Sequence, residues 1–392
     1  MDRKAFSLIN ILRNVVTIYF DAFFIIYFLN ILKYNIFHFA MFYLIVFITI
    51  LLSFWFLSTS SRLKYKIYYY RIGISITALY LALVMLFRED IVNYLYLVAI
   101  VKGLGDGFYF YPRNILNSTK ISNKERKEYN GLMSAINGAC TILVPLLLGV
   151  VLNYYSYVDV GKIVFILMIV MFVLSFYVKD NDESDGRISL IRFYKHIKKD
   201  SLVQSALIMQ FLQGFTIGSG VLVGVMTIYK VLYFESNLYI GILNSLLGIL
   251  TILTSIIYAH SKKEKCFKAI SVITLVLMSI SLVLLGISAN NIIFILYLII
   301  YAIGITLISL TADNIIVNAS NHLYVRFHRA EYHLLLETLL EVARIIGYGV
   351  LLCVGITGRI ELMKFILFYS IVPLTILVIY VINAKEKEVK DK

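Results

Sequence analysis

Nine ionisable residues fall inside stretches that are otherwise apolar: Arg13, Asp21, Lys102, Asp106, Arg113, Asp313, Glu337, Glu341 and Arg344. A charge at bilayer depth costs about 3 kcal/mol or more unless it is paired or faces water, so each is a candidate for chemistry. Lys102 and Asp106 are four apart and share a helical face. Glu337, Glu341 and Arg344 follow an i, i+4, i+7 stripe. With ~1.5 Å of rise per residue, Asp21, Lys102, Asp106, Glu341 and Arg344 fall near mid-stretch. Arg13, Arg113, Asp313 and Glu337 fall nearer one end. The deep set holds two cations and three carboxylates, the shallow set two of each. If the shallow set pairs fully, one deep carboxylate keeps no cation, and such a group in a low-dielectric site can take up and release a proton. Asp21 is the first choice, because no basic residue lies within one turn of it. Glu341 is the second, since Arg344 can neutralise it, and Asp106 is a third beside Lys102. The rival reading is that Lys102 and Arg344 simply lock static charge pairs.

Neutral polar groups add to this inventory. Gln210 and Gln213, three apart in a Gly-rich stretch with Gly214, Gly218, Gly220 and Gly224, could line a cavity, as could Asn14, Asn137 and Asn244. Glycines alone also serve close helix packing.

The elements that position these residues are membrane helices. Of 392 residues, 60% are hydrophobic and only 15% charged, with a mean hydropathy of +0.86. A soluble chain is nearer 25% charged, so the expectation is an all-α membrane protein. Twelve stretches are long enough to span a bilayer: 8–31, 36–57, 69–87, 91–117, 130–154, 161–178, 201–230, 237–259, 268–288, 291–318, 332–357 and 362–383. The first contains Arg13 and Asp21 and lacks a small-residue cleavage site, so it reads as a retained helix and not a signal peptide.

The net charge of +13 could suggest nucleic acid, but the distribution of the charges argues otherwise. Twenty-six basic residues fall on the amino-terminal side of the twelve spans and six on the other. Under the positive-inside rule both termini are cytoplasmic. The basic side also suits anionic lipid, and no nucleic-acid partner is expected. The polar connector 179–200 divides the spans six and six. This predicts an N-terminal bundle over 1–178, a cytoplasmic linker with an amphipathic surface helix over 179–200, and a C-terminal bundle over 201–392 with a short cytoplasmic tail.

An internal repeat supports the two halves. RNILNSTKISNKERKEYNGL near the fourth span matches DNIIVNASNHLYVRFHRAEYHLL near the tenth. The match aligns Asn114 with Asn314, Asn117 with Asn318, and Glu128-Tyr129 with Glu331-Tyr332, at an offset of 200 to 203 residues. Parallel six-helix repeats are an architecture of secondary transporters, with the substrate site near the midplane.

The stretch KGLGDGFYFYPRNILNS, followed by KERKEYNG and ILVPLLLGVVL, resembles spans four and five of bacterial major facilitator superfamily transporters. EYHLLLETLLEVARIIG is similar to the eleventh helix of some bacterial members. The loop STSSRLKYKIYYYRIG keeps the superfamily's basic residues but lacks its usual Gly and Asp. Ala99 stands where drug/proton antiporters carry an Arg, and span five has Gly138, Pro145 and Gly149 without a Gly-Pro pair.

The resemblance implies twelve helices in two pseudo-symmetric bundles, a secondary transporter working by alternating access. It also implies a cytoplasmic gate in which Arg113 bridges to Glu337 or Asp313, with Arg13 in the same layer. The expectation is therefore a monomeric multi-pass protein of the cell membrane that couples to protons and exports an amphipathic small molecule. Uptake of a small polar solute such as a sugar, a lipid-linked saccharide flippase, and a non-transporting sensor or immunity relative stay open. The six histidines lie at membrane edges or loops, and there is no phosphate-binding loop. The three cysteines show no paired spacing. No enzymatic activity, metal or cofactor is expected.

Overall fold

A computed structural model describes residues 2–33, 35–58, 65–120, 123–179, 190–198, 200–216, 220–234, 236–260, 264–287, 290–320, 324–325, 328–357 and 371–380. Among these residues the regular structure is helical: α1 Asp2–Ile18, α2 Ile25–Ile31, α3 Ile36–Leu57, α4 Lys66–Phe87, α5 Leu95–Lys120, α6 Asn123–Tyr154 and α7 Tyr157–Ser175. The series continues with α8 Leu190–Ile197, α9 Ser201–Thr216, α10 Val221–Tyr233, α11 Asn237–His260, α12 Glu264–Ile287, α13 Asn291–Ser320 and α14 Arg329–Thr357. An apolar helix α15, Ile371–Tyr380, is the last among the described residues. Among the described residues, ten helical stretches are long and apolar enough to cross a membrane, and shorter apolar helices cover Val272–Leu285 and Ile371–Tyr380. These twelve segments correspond to the twelve expected spans.

Two departures from regularity matter. A π-helical turn, Tyr19–Phe24, joins α1 to α2 within one continuous span, Lys4–Ile31. Such turns arise where one extra residue is accommodated in a helix, often at functional sites. Pro112 lies inside α5 and Pro145 inside α6; membrane helices tolerate proline where neighbours satisfy the freed backbone groups.

The chain forms two compact units, Met1–Ile188 with Thr227–Leu246, and Ser189–Met226 with Leu247–Lys392. In the first, α5 lies flush between α3 and α4. A β-carbon on Gly103 would stand 2.6 Å from the Val46 carbonyl oxygen, and one on Gly107 2.5 Å from the Ser53 β-carbon. On the α4 side, a β-carbon on Gly73 would collide with the Tyr109 backbone. Small residues at these crossings let backbones approach closely. α1 packs on α6 and α7. The end of α10 and the start of α11 belong to this unit, held where Gly241 meets Gly149 and where the Ser245 hydroxyl donates to the Ile142 carbonyl at 2.7 Å.

In the second unit α9 packs on α13 and α14, and α12 packs on α13. The linker segment contributes α8. Phe193 and Ile197, four apart on it, are buried. Phe193 stacks on Tyr324, and His196 and His328 also stack on Tyr324 with ring centroids 4.7 and 4.3 Å away. Within the range 179–200 a helix covers Leu190–Ile197, while 180–189 and 199 lie outside the described residues.

Candidate functional site

Four residues of α5, Lys102, Asp106, Tyr109 and Arg113, follow i, i+4, i+7, i+11 and form one stripe. The glycines on its other faces bring α5 against α3 and α4, which leaves this stripe to α1. There it meets Asn10 and Arg13, three apart on α1. The Arg13 guanidinium is bonded to Asp106 Oδ1, and Lys102 Nζ donates to Asp106 Oδ2 at 3.0 Å. One carboxylate therefore serves two cations, with side-chain exposures of 8% for Arg13, 9% for Asp106 and 14% for Lys102.

Arg13 also lies over the Tyr109 and Phe110 rings, 4.7 and 5.2 Å from their centroids, and donates to the Thr77 hydroxyl at 3.4 Å. Lys102 Nζ stands 5.5 Å from the Phe20 ring and 5.6 Å from the Tyr80 ring. Cations on aromatic faces gain about 0.5–2 kcal/mol, more when desolvated. Further along the stripe, Arg113 Nε and the Tyr109 hydroxyl both donate to Asn10 Oδ1, at 3.0 and 3.5 Å.

This arrangement differs from the depth sorting in one respect. Arg13, grouped by position with the shallow gate, joins the deep pair Lys102–Asp106. The physical reason is length: the extended arginine side chain carries its guanidinium beyond its own turn to Asp106 Oδ1. Asp21 occupies an exposed position in the π-helical turn. Phe20, its neighbour, packs on Tyr80 at 5.3 Å, and Tyr80 is within electrostatic reach of both Asp21 and Asp106. Asn14 Nδ2 donates to Asn137 Oδ1 at 3.3 Å, tying α1 to α6. Asn244 accepts from Lys230 Nζ at 2.8 Å.

In the second unit, Gln213 on α9 donates to Asp313 Oδ1 on α13, and the Ser309 hydroxyl donates to Asp313 Oδ2, both at 3.4 Å. Gln210 stands one turn earlier, half-buried. Glu341 is 2% exposed and accepts from Arg344 at 2.6 Å. Glu337 is half-buried one turn before Glu341. The stripe on α14 is thus as spaced, with Arg344 answering Glu341.

Sequence reasoning missed Asn10, Thr77 and the aromatic group Phe20, Tyr80, Tyr109 and Phe110. Asn10 was accessible in principle, as an amide one turn from Arg13. The rings were not, because 56 Tyr and Phe residues in the chain dilute any aromatic signal.

The sequence profile described as Major Facilitator Superfamily matches residues 12–347. A Bacillus subtilis (strain 168) protein described as "Uncharacterized protein YqgE" is 24% identical over 180 residues, which are 45% of this chain. The match spans 41% of that relative's length. Among solved structures, the chain is similar to a bacterial homologue of the iron transporter ferroportin in an inward-facing state, with a TM-score of 0.67 and 14% identity over 97% of both chains. It is also similar to the human organic anion transporter MFSD10, with a TM-score of 0.64 and 12% identity over 97% of this chain and 99% of that one. At these identities the structural likenesses concern the fold alone. The profile covers most of the chain, including the α1–α5 charge cluster and the α14 stripe, and by that match the protein belongs to the major facilitator superfamily.

Proposed function

We propose that this membrane transporter is a proton-coupled secondary carrier that works by alternating access and exports an amphipathic small molecule from the cytoplasm. One observation supports it above others: Asp21 stands exposed in a π-helical turn midway along a membrane span. A carboxylate kept at that depth, where the helix is locally widened, has the chemistry of a proton carrier. Asp106 and Glu341 rank below it, because Asp106 is bonded to two cations and Glu341 to Arg344. The aromatic rings around Arg13 and Lys102 favour an amphipathic cargo over a sugar. The structurally similar proteins divide between an iron-transporter homologue and an organic-anion transporter. Two cations sharing one carboxylate suit an organic cargo better than a metal cation.

The reading includes a monomer in the cell membrane with both termini cytoplasmic, six-helix bundles at 1–178 and 201–392, and a cytoplasmic gate involving Arg113, Asp313 and Glu337. Proton flux in proteoliposomes tests it. A substrate gradient imposed across vesicles holding the wild type should drive proton movement, and Asp21→Asn should abolish that movement. Equal proton movement with Asp21→Asn would remove Asp21 from the mechanism; none with the wild type, across a panel of amphipathic compounds, would overturn the carrier.

A further inference from the structure

We infer that Lys230 and Asn244 in the first unit form the exit site of the carrier and take the oxyanion headgroup of an amphipathic substrate. The inference rests on the export reading and names its substrate class.

The placement of Lys230 is the first argument. It lies in the last turn of α10, which runs toward the outer face when both termini are cytoplasmic. Its Nζ donates to Asn244 Oδ1 on α11 at 2.8 Å. Asn244 is seven residues past Asn237, the first residue of α11, so the ammonium is held about 10 Å along α11 from its start. A lysine near a membrane edge ordinarily extends its ammonium to the interface; this one is bonded inward. The face it meets belongs to the interior of the unit. Asn237, Gly241 and Asn244 follow i, i+4, i+7 and share that face. Gly241 there is pressed against Gly149 of α6, whose added β-carbon would stand 3.0 Å from the Asn237 carbonyl oxygen.

The balance of charge is the second argument. Arg13 and Lys102 hold Asp106, and Arg344 holds Glu341. Among the described residues, Lys230 has the neutral Asn244 amide as its hydrogen-bonding partner and no carboxylate in an ion pair. A charge at that depth is costly until it is paired. An ammonium carries three N–H donors, so two remain for an oxyanion, and the Asn244 amide nitrogen offers a further donor beside them.

The rings nearby favour an apolar tail on that headgroup. The Tyr157 hydroxyl donates to Asn237 Oδ1, and the Tyr157 ring lies 5.2 Å from that of Tyr27. Two turns of α11, about 10 Å, separate these rings from the ammonium along one helix face. An anion bound at Lys230 can therefore lay a medium-length alkyl or aryl body toward Tyr157 and Tyr27.

The test is thermal stabilisation of the full-length protein in nanodiscs, titrated at pH 7 with decanoate, decanesulfonate, acetate and, as the cationic counterpart, decylammonium. The two long-chain anions should raise the melting temperature, and acetate and decylammonium should not. Lys230→Gln should weaken decanoate binding about tenfold or more, the size of a lost hydrogen bond to a charged group. Asn244→Asp gives Lys230 a carboxylate within the protein. It should keep or raise the melting temperature of the unliganded protein and remove the decanoate shift, which a purely structural role of the pair would not produce. The inference is overturned by any of three results: no shift with either long-chain anion, equal stabilisation by acetate or decylammonium, or unchanged decanoate binding in Lys230→Gln or Asn244→Asp. Decanoate binding that Asn244→Asp removes, in a protein without proton-coupled flux, would keep this site and sink the carrier. Proton-coupled flux of the same anions that Asn244→Asp leaves unchanged would keep the carrier and sink the site.

Discussion

Arg113 on α5 and Asp313 on α13 stand 200 positions apart in the chain, and each is held by an amide from the first long helix of its own unit. Arg113 donates to Asn10 at 3.0 Å, and Asp313 accepts from Gln213 at 3.4 Å. The two contacts are alike in placement and opposite in charge. Asp313's hydrogen bonds from Gln213 and Ser309 come from neutral groups, and Asn at 313 can still accept through its own carbonyl. Asp313→Asn should therefore change the melting temperature in detergent little, by the equivalent of ~0.5 kcal/mol. Asp313→Leu, which leaves the Gln213 amide without its acceptor, should cost about 1–3 kcal/mol.

The shared carboxylate predicts a non-additive cycle. Asp106→Asn leaves Arg13 and Lys102 together at depth and should destabilise by about 3–5 kcal/mol. Adding Arg13→Gln to Asp106→Asn should recover part of that loss. Thermal melts of wild type, both singles and the double measure the coupling. Simple additivity would mean that the two side chains do not interact as their geometry shows.

In the second unit the charge left unpaired has the opposite sign. Arg344→Gln leaves Glu341, 2% exposed, beside a neutral group and should destabilise more than the double Arg344→Gln with Glu341→Gln. The same melting assay decides it, and a double as unstable as the single would contradict the pairing at 2.6 Å.

Two glycines should behave oppositely. Gly103→Val places carbon against the Val46 carbonyl oxygen and the Thr49 side chain, both 2.6 Å from an added β-carbon. It should cost about 1–3 kcal/mol or more by overpacking. Gly349→Ala meets nothing within 4 Å and should be neutral or stabilising by about 0.5–1 kcal/mol, as for alanine over glycine in a helix. Expression level and melting temperature of the two variants check the contrast.

The linker helix α8 is docked through Phe193, His196, Tyr324 and His328. Tyr324→Ala removes the ring on which the other three stack and should weaken docking by about 1–3 kcal/mol. Amide hydrogen exchange over 190–197 should then speed up while exchange in α9 stays unchanged. Unaltered exchange over 190–197 would show that the stack does not hold α8.

The helical spans, the intramembrane charges and the stripe of Glu337, Glu341 and Arg344 were legible because each depends on local chemistry: apolar length, or a spacing that a helix turns into a face. What the linear order could not show was which charge answers which. Arg13 and Asp106 are 93 residues apart, and only the approach of α1 to the glycine-backed stripe of α5 joins them. The π-helical turn at Tyr19–Phe24 has no local proline or glycine to announce it. Pairing across helices depends on crossing angles and side-chain reach, which are properties of the packed structure. Composition along the chain decided that charges are buried, and tertiary packing decided that two of them share one carboxylate.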